Sequence, residues 1–343
     1  MKDVKGKRVF VGLSGGVDSS VTAALLQKAG ADVYGVFIQG WYPPTLECTW
    51  RQDRRDAMRV AAHLHIPFHT LNASNTYKKS VLDYLITEYE KGRTPNPDIM
   101  CNKDVKFGVF YDFAKKHGAD FIATGHYAEH KKDKLIRGHD NDKDQSYFLW
   151  AISPEALSMT LFPLGGYKKD EVRKLAREFK LPTAKKKDSQ GICFLGDISL
   201  ADYLKTQCEL TSGQAYDENG NAVGTHEGAL LYTLGERVAL EDAANGPWYV
   251  VSKDMPQNTL VVSRITKRLI TDSDIRLTNT NFFRTPPTTE IITAQFRYHG
   301  PVISGTLTGL VFKPSAPLSE AVAPGQSLVL YKDDEVLGGG IIT

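Results

Sequence analysis

Val9-Phe10-Val11-Gly12-Leu13-Ser14-Gly15-Gly16-Val17-Asp18-Ser19-Ser20 joins an apolar run to a glycine-rich turn and then to a segment of helical spacing. The run ending at Leu13 reads as a buried strand, and Val17–Ala29 reads as a helix with Gly30 as its stop. Glycines in the turn make positive φ cheap and let backbone N–H groups approach a ligand closely. The helix that follows points its unpaired N–H groups, and about half a positive charge, at whatever lies in the turn. Strand, turn and helix together form an anion cradle suited to phosphate.

Outward from this unit, strand-like and helix-like segments alternate. Asp32–Gln39 reads as a strand, Arg51–His63 as a helix and Pro67–Ala73 as a strand. Thr76–Lys91 and Asp104–His117 read as helices, and Asp120–Thr124 as a strand ending at Gly125-His126. Lys168–Phe179 is a further helix, stopped by Leu181-Pro182. Such alternation predicts an α/β fold, a doubly wound parallel sheet with ligands at the carboxyl ends of its strands. After about Asp197 the texture changes, and from Gly213 on short β-like runs stand between Gly, Asn, Asp and Pro turns: Ala229–Leu234, Trp248–Val251, Thr259–Ser263, Thr289–Tyr298, Gly305–Phe312, Gln326–Tyr331 and Glu335–Ile342. This predicts two small antiparallel β domains, the last a barrel. The expected divisions are residues 1–198, 199–270 and 271–343.

The 343 residues carry a net charge of +2, with 41% hydrophobic and 24% charged residues, so any polyanion-binding surface is local rather than global. No run approaches the length of a membrane span, and no apolar leader is visible, so no membrane partner is expected. Four cysteines in so long a chain argue against a disulfide scaffold and for a reducing, cytoplasmic setting. Each thiol then becomes a chemical question. Cys101 lies in Thr94-Pro95-Asn96-Pro97-Asp98-Ile99-Met100-Cys101, whose two prolines predict a rigid loop. Cys193 lies in another loop, Lys187-Asp188-Ser189-Gln190-Gly191-Ile192-Cys193-Phe194, just after the Lys185-Lys186-Lys187 run, which reads as a phosphate contact. Neither makes a Cys-x-x-Cys pair, which excludes a zinc ribbon, and no metal ligand set is assigned. The neighbouring Asp and Lys residues favour reactive thiols at Cys101 and Cys193. Cys48 and Cys208 read as small buried hydrophobes.

The Walker pattern fails because no Lys follows the glycines, and the dinucleotide fingerprint fails on glycine spacing. What remains, Ser-Gly-Gly-x-Asp-Ser, resembles the pyrophosphate loop of the ATP pyrophosphatase superfamily, whose members cleave ATP to AMP and pyrophosphate. With the two cysteine segments added, the whole chain resembles the tRNA-specific 2-thiouridylases. The resemblance rests on Gly12–Ser20, Phe37–Trp41, Glu90–Phe107, Ala123–Ala128, Lys143–Leu149, Leu161–Gly166, Lys186–Gly196, Trp248–Lys253, Ala294–Tyr298 and Pro324-Gly325-Gln326.

The resemblance implies adenylation of the C2 oxygen of the wobble uridine by ATP with Mg2+, then replacement of that oxygen by sulfur. It makes Cys101 the nucleophile, Cys193 the persulfide carrier, and Asp98 an acid/base group. It also implies a transient Cys101–Cys193 disulfide. ATP would meet Gly12, Leu13, Ser14, Gly15, Gly16, Val17, Asp18, Ser19, Ile38 and Gly125, with His126 beside the base. Asn96, Pro97 and Asp98 would meet the flipped-out uridine. Lys143, Asp144 and Gln145, with Arg297, Tyr298 and Gln326 of the terminal barrel, would touch tRNA. The implied partners are the tRNAs for Lys, Glu and Gln and a persulfide donor or sulfur-carrier protein, with the chain a monomer.

Two departures stand out. Ile38 occupies a position where the family usually has Met, and Gly235-Glu236-Arg237 replaces its usual Gly-Gln-Arg, leaving central-domain RNA contacts open. Alternative readings are a ligase of the same superfamily acting on a small metabolite, which gives no work to Cys101 or Cys193, and a catalytically silent RNA-binding adaptor.

Overall fold

The computed structural model describes residues 3–42, 50–188, 199–241, 246–265, 274–288 and 290–343. The first strands and helices are β1 (Arg8–Gly12), α1 (Val17–Lys28), β2 (Asp32–Gln39), α2 (Trp50–His63), β3 (Phe68–Asn72) and β4 (Phe121–Ala123). A hairpin follows, β5 (Ala128–Lys131) and β6 (Lys134–Arg137), and then β7 (Thr160–Leu161). The sheet order is β3-β2-β1-β4-β7, with every pairing parallel. Apolar alternation assigns its two faces. Val9, Val11, Val33 and Phe37 pack under α1, α2 and the helix Lys169–Glu178. Phe10, Val36 and Ile38 pack under the helical stretch of residues 74–116. A sheet covered on both faces is the expected doubly wound layer arrangement.

Residues 74–116 contain two widened π-helical segments, Lys78–Asp83 and Cys101–Val109. The two prolines around Asn96 do not make a loop up to Cys101, contrary to the sequence reading. Pro97 occupies the first turn of the helix Pro97–Met100, where its missing N–H leaves no bond unmade, and the Asn96 side chain caps the N–H groups of Asp98 and Ile99 at 3.1 and 3.4 Å. Cys101 therefore sits on a helix.

The central domain is a five-stranded sheet, Arg237–Val238, Trp248–Asp254, Thr259–Ser263, Gly213–Tyr216 and Ala222–His226 in order. The run Ala229–Leu234, read as β-like, instead forms a short 3-10 turn at Ala229–Leu231. In the terminal domain, Gly305–Phe312 is not one strand but the two arms of a hairpin, Ile303–Thr308 and Val311–Pro314, turning at Gly309 with φ +59°. Six strands close into a barrel through the pairing of Leu277 with Ile342. The sheet domain's own hairpin extends that barrel sheet, with Leu135 opposite Val336 and Ile136 opposite Glu335.

Candidate active site

The loop after β1 lies where the sequence places it, at the carboxyl ends of β1 and β4, with Val11 paired to Ala123. Gly15 has φ +78°, and a Cβ there would stand 2.3 Å from the Asp53 carbonyl oxygen, so only glycine lets the loop rest on α2. Gly16 caps α1 without a side chain, which leaves first-turn N–H groups for an incoming anion. The Ser14 and Ser19 hydroxyls lie 3.2 Å apart, and Ser20 Oγ donates to the Gly16 carbonyl at 2.6 Å, holding the loop's curvature. Gly125 closes the cradle from β4, since a Cβ there would stand 2.8 Å from Ser19 N. Ile38 is buried on the opposite face of the sheet from α1, in the cluster that also holds Cys101.

Charge around the loop is arranged as a relay. Lys169 Nζ donates to both Asp18 carboxylate oxygens at 2.8 Å and lies 3.0 Å from Asp188. Arg173 reaches Asp188 at 2.6 Å, and Lys143 stands 3.8 Å from it. Burial would raise the Asp188 carboxyl, but the Lys169 hydrogen bond and these cations hold it below its usual range. Lys186 bridges Asp53 and Asp56 of α2 at 2.7 and 2.8 Å, and these carboxylates raise its ammonium against the opposing effect of burial. Tyr127 donates to Asp18 at 2.9 Å, and burial pushes its phenol up so that it stays a donor.

Lys169 and Tyr127 escaped the sequence reading. A lysine at the first position of a helix opposes the macrodipole, and that is the signal that could have found Lys169. Among the described residues no three His, Cys, Asp or Glu side chains gather as a metal site. Magnesium takes few protein carboxylates when phosphate oxygens accompany it, and Asp18, the carboxylate of the loop, would exchange its Lys169 and Tyr127 hydrogen bonds to meet an ion entering with ATP.

His126 is buried between Phe107 and Phe162, with Nδ1 2.7 Å from Thr124 Oγ1. Burial first, and then Lys106, hold its imidazole well below its usual value, so it stays neutral. Cys101 is fully buried. Cys193 and Cys48 lie outside the described residues, as does the Cys101–Cys193 pairing. Cys208 is half-buried after the helix Leu200–Gln207, and burial raises its thiol.

The RNA-facing candidates divide. The Asp144 carboxylate is buried, accepting from Gly138 N, Ser146 N and Ser146 Oγ at 2.9–3.0 Å and from Arg137 at 3.3 Å. Gln145 accepts from Tyr127 N at 3.1 Å, whereas Lys143 is partly exposed. The Tyr298 ring meets the Phe148 ring at 4.4 Å between centroids, tilted by 45°, which brings the terminal barrel to the Lys143–Leu149 segment. Burial, with Asp144 and Asp140, raises its phenol to about 12. Arg297 is exposed and paired with Glu320 at 2.6 Å. Gln326 donates to the Thr94 carbonyl at 2.8 Å, two residues from Asn96.

Three family profiles tile the chain: a tRNA methyl transferase HUP domain over residues 7–197, a tRNA methyl transferase PRC-barrel domain over 201–264, and an aminomethyltransferase β-barrel domain over 272–342. The tRNA-specific 2-thiouridylase MnmA of Streptococcus agalactiae is 42% identical, covering 100% of this chain and 96% of that protein. The protein of the same name from Enterococcus faecalis is 41% identical over the same shares. The chain belongs to the tRNA-specific 2-thiouridylase family. Among solved structures, an NMN synthetase from Francisella tularensis matches at 16% identity and a TM-score of 0.37, covering 58% of this chain and 72% of that one, a likeness too slight to bear on function. The cradle and Cys101 stand at one end and on one face of the same sheet.

Proposed function

We propose that this chain makes 2-thiouridine at the wobble position of the tRNAs for Lys, Glu and Gln. The observation that supports this most directly is the Ser14–Ser19 cradle, with Lys169 on Asp18, inside a chain that matches 2-thiouridylases end to end. A uracil carbonyl oxygen is a poor leaving group. Its attack on the α-phosphorus of ATP, with loss of the N3 proton, forms a P–O bond and expels pyrophosphate. The first-turn N–H groups of α1 and the Lys169 ammonium receive the departing charge, where fixed donors cost no reorganisation. Magnesium, when bound with ATP, neutralises phosphate charge.

The terminal sulfur of a Cys193 persulfide then attacks C2. Cys101 attacks the Cys193 sulfur, the S–S bond to the new sulfur breaks, AMP leaves, and a Cys101–Cys193 disulfide remains. Asp98 moves the proton, and neutral His126 lies beside the base. Lys143, Arg297 and Tyr298 supply phosphate and stacking contacts to RNA. The sulfur arrives from a persulfide donor. The test is nucleoside mass spectrometry of tRNA after reaction with ATP, magnesium and a persulfide donor. A 2-thiouridine peak that needs ATP and vanishes in Cys101→Ser is the expected result. Undiminished yield from Cys101→Ser would remove Cys101 from the mechanism.

A further inference from the structure

Thr94 opens the segment that leads to Cys101, and its three polar groups all reach outside the sheet domain. Its N–H donates to the Pro324 carbonyl at 2.8 Å, its carbonyl accepts from Gln326 Nε2 at 2.8 Å, and its hydroxyl meets Thr233 Oγ1 at 3.2 Å. Pro324 and Gln326 belong to the terminal barrel, and Thr233 belongs to the central domain. Thr94 is buried, so these bonds are shielded from water.

The contact is built for close approach. Gly325 has φ +91°, and a Cβ there would stand 2.8 Å from Thr94 N and 3.0 Å from Arg93 Cβ. The turn around Gly325 is itself pinned to the last barrel strand, with Gly325 N on the Ile342 carbonyl at 2.9 Å and Ile342 N on the Gln326 carbonyl at 2.8 Å. From the other side, Gly92 has φ +75°, and a Cβ there would stand 2.8 Å from Met255 Cγ of the central domain. Beyond Thr94, two prolines fix φ and Asn96 caps the helix, so a displacement at Thr94 passes to Cys101 through few free torsions.

We propose that Gln326 is a positioning residue. Through the Thr94 carbonyl, the terminal barrel sets the placement of the Asn96–Cys101 segment, so that seating of RNA on the barrel and presentation of Cys101 become one event. This differs from the direct RNA contact that family resemblance implies for Gln326, and it rests on Cys101 being the reacting thiol.

The test uses the full chain and the variants Gln326→Leu and Gly325→Ala, with Gln326→Glu as an isosteric control that removes the donor. Iodoacetamide labelling of Cys101 without tRNA is followed by peptide mass spectrometry, and kcat and KM for tRNA are measured beside it. Loss of one ordinary buried hydrogen bond should speed Cys101 labelling by about fivefold. Cys208 labelling should stay unchanged, and the activity loss should fall on kcat while KM holds. Gly325→Ala should repeat the pattern by wedging the two backbones apart. Parental Cys101 labelling with a raised KM would overturn the proposal and return Gln326 to direct RNA contact. Parental behaviour in both measurements would overturn it as well. Labelling does not depend on turnover, so thiolation surviving Cys101→Ser would refute the role of the thiol and leave the clamp to be judged by labelling.

Discussion

Lys169 and Asp18 carry opposite charge at the mouth of a cradle that must accept a polyanion and then release one. Asp18 holds Lys169 in place before ATP arrives, both of its carboxylate oxygens accepting from the ammonium. Asp18→Ala should therefore lower tRNA-dependent pyrophosphate release by about a hundredfold or more, as losses of oriented charge at a transition state do. Folding should survive, since Asp18 is only half-buried and such a change costs about 1 kcal/mol or less. Pyrophosphate release at the parental rate from the folded variant would refute the cradle assignment.

His126 gives a pH signature of definite sign. Its folded-state value is depressed, so below the ordinary histidine range the unfolded chain binds a proton that the native state refuses. Stability from this group is present above pH about 6.5 and falls by up to about 1.4 kcal/mol per pH unit below it. Urea denaturation of the parent and of His126→Asn between pH 7 and pH 5 measures the difference, and parallel curves would count against a neutral buried imidazole.

The short helix bearing Cys101 shows how one cap can govern a thiol. Asn96 supplies two capping bonds, Pro97 presets the first turn, and the widened helix Cys101–Val109 continues from it. Asn96→Ala should cost about 1 kcal/mol of global stability. It should lower thiolation by more than that loss predicts, because the first turn frays next to Cys101. Denaturant midpoints and turnover, measured on the same preparations, decide this. Equal proportional losses would reduce Asn96 to an ordinary cap. The inference of a loop here failed because proline was read as a helix breaker, whereas at a helix start it loses no hydrogen bond.

The terminal barrel is part of the active domain's support. It pairs with β6, and Gly339 lets a strand press on the buried Trp150 ring, with a Cβ there standing 3.1 Å from it. Tyr147 donates to the Ser327 carbonyl at 3.0 Å, and Asn281 donates to the Trp150 and Ile152 carbonyls at 2.7 and 2.9 Å. Arg137 lies 3.7 Å over the Tyr331 ring and bonds Gln295 at 2.9 Å, tying the hairpin to the barrel wall. A chain ended at residue 270 would expose the edge of β6 and the face containing Trp150, so it should bind a hydrophobic dye and melt below the parent. A truncated chain with the parental Tm and no dye binding would show that the sheet domain stands alone.

The glycine-rich loop, the parallel sheet and the change to β structure from Gly213 on were readable from the chain because they are local. Strand and helix periodicity, glycine at positive φ and the apolar alternation of β1 and β2 are written into consecutive residues. The hairpin within 305–312 was missed because apolar residues continue through its turn at Gly309. Lys169 on Asp18 and Gln326 on Thr94 join residues 151 and 232 positions apart, and no local pattern announces them. A periodic sequence reports that an element has an inward face, but which other element covers that face depends on how the domains dock. Docking is set by backbone approach at glycines and by buried polar groups finding partners, and both exist only once the chain has closed on itself.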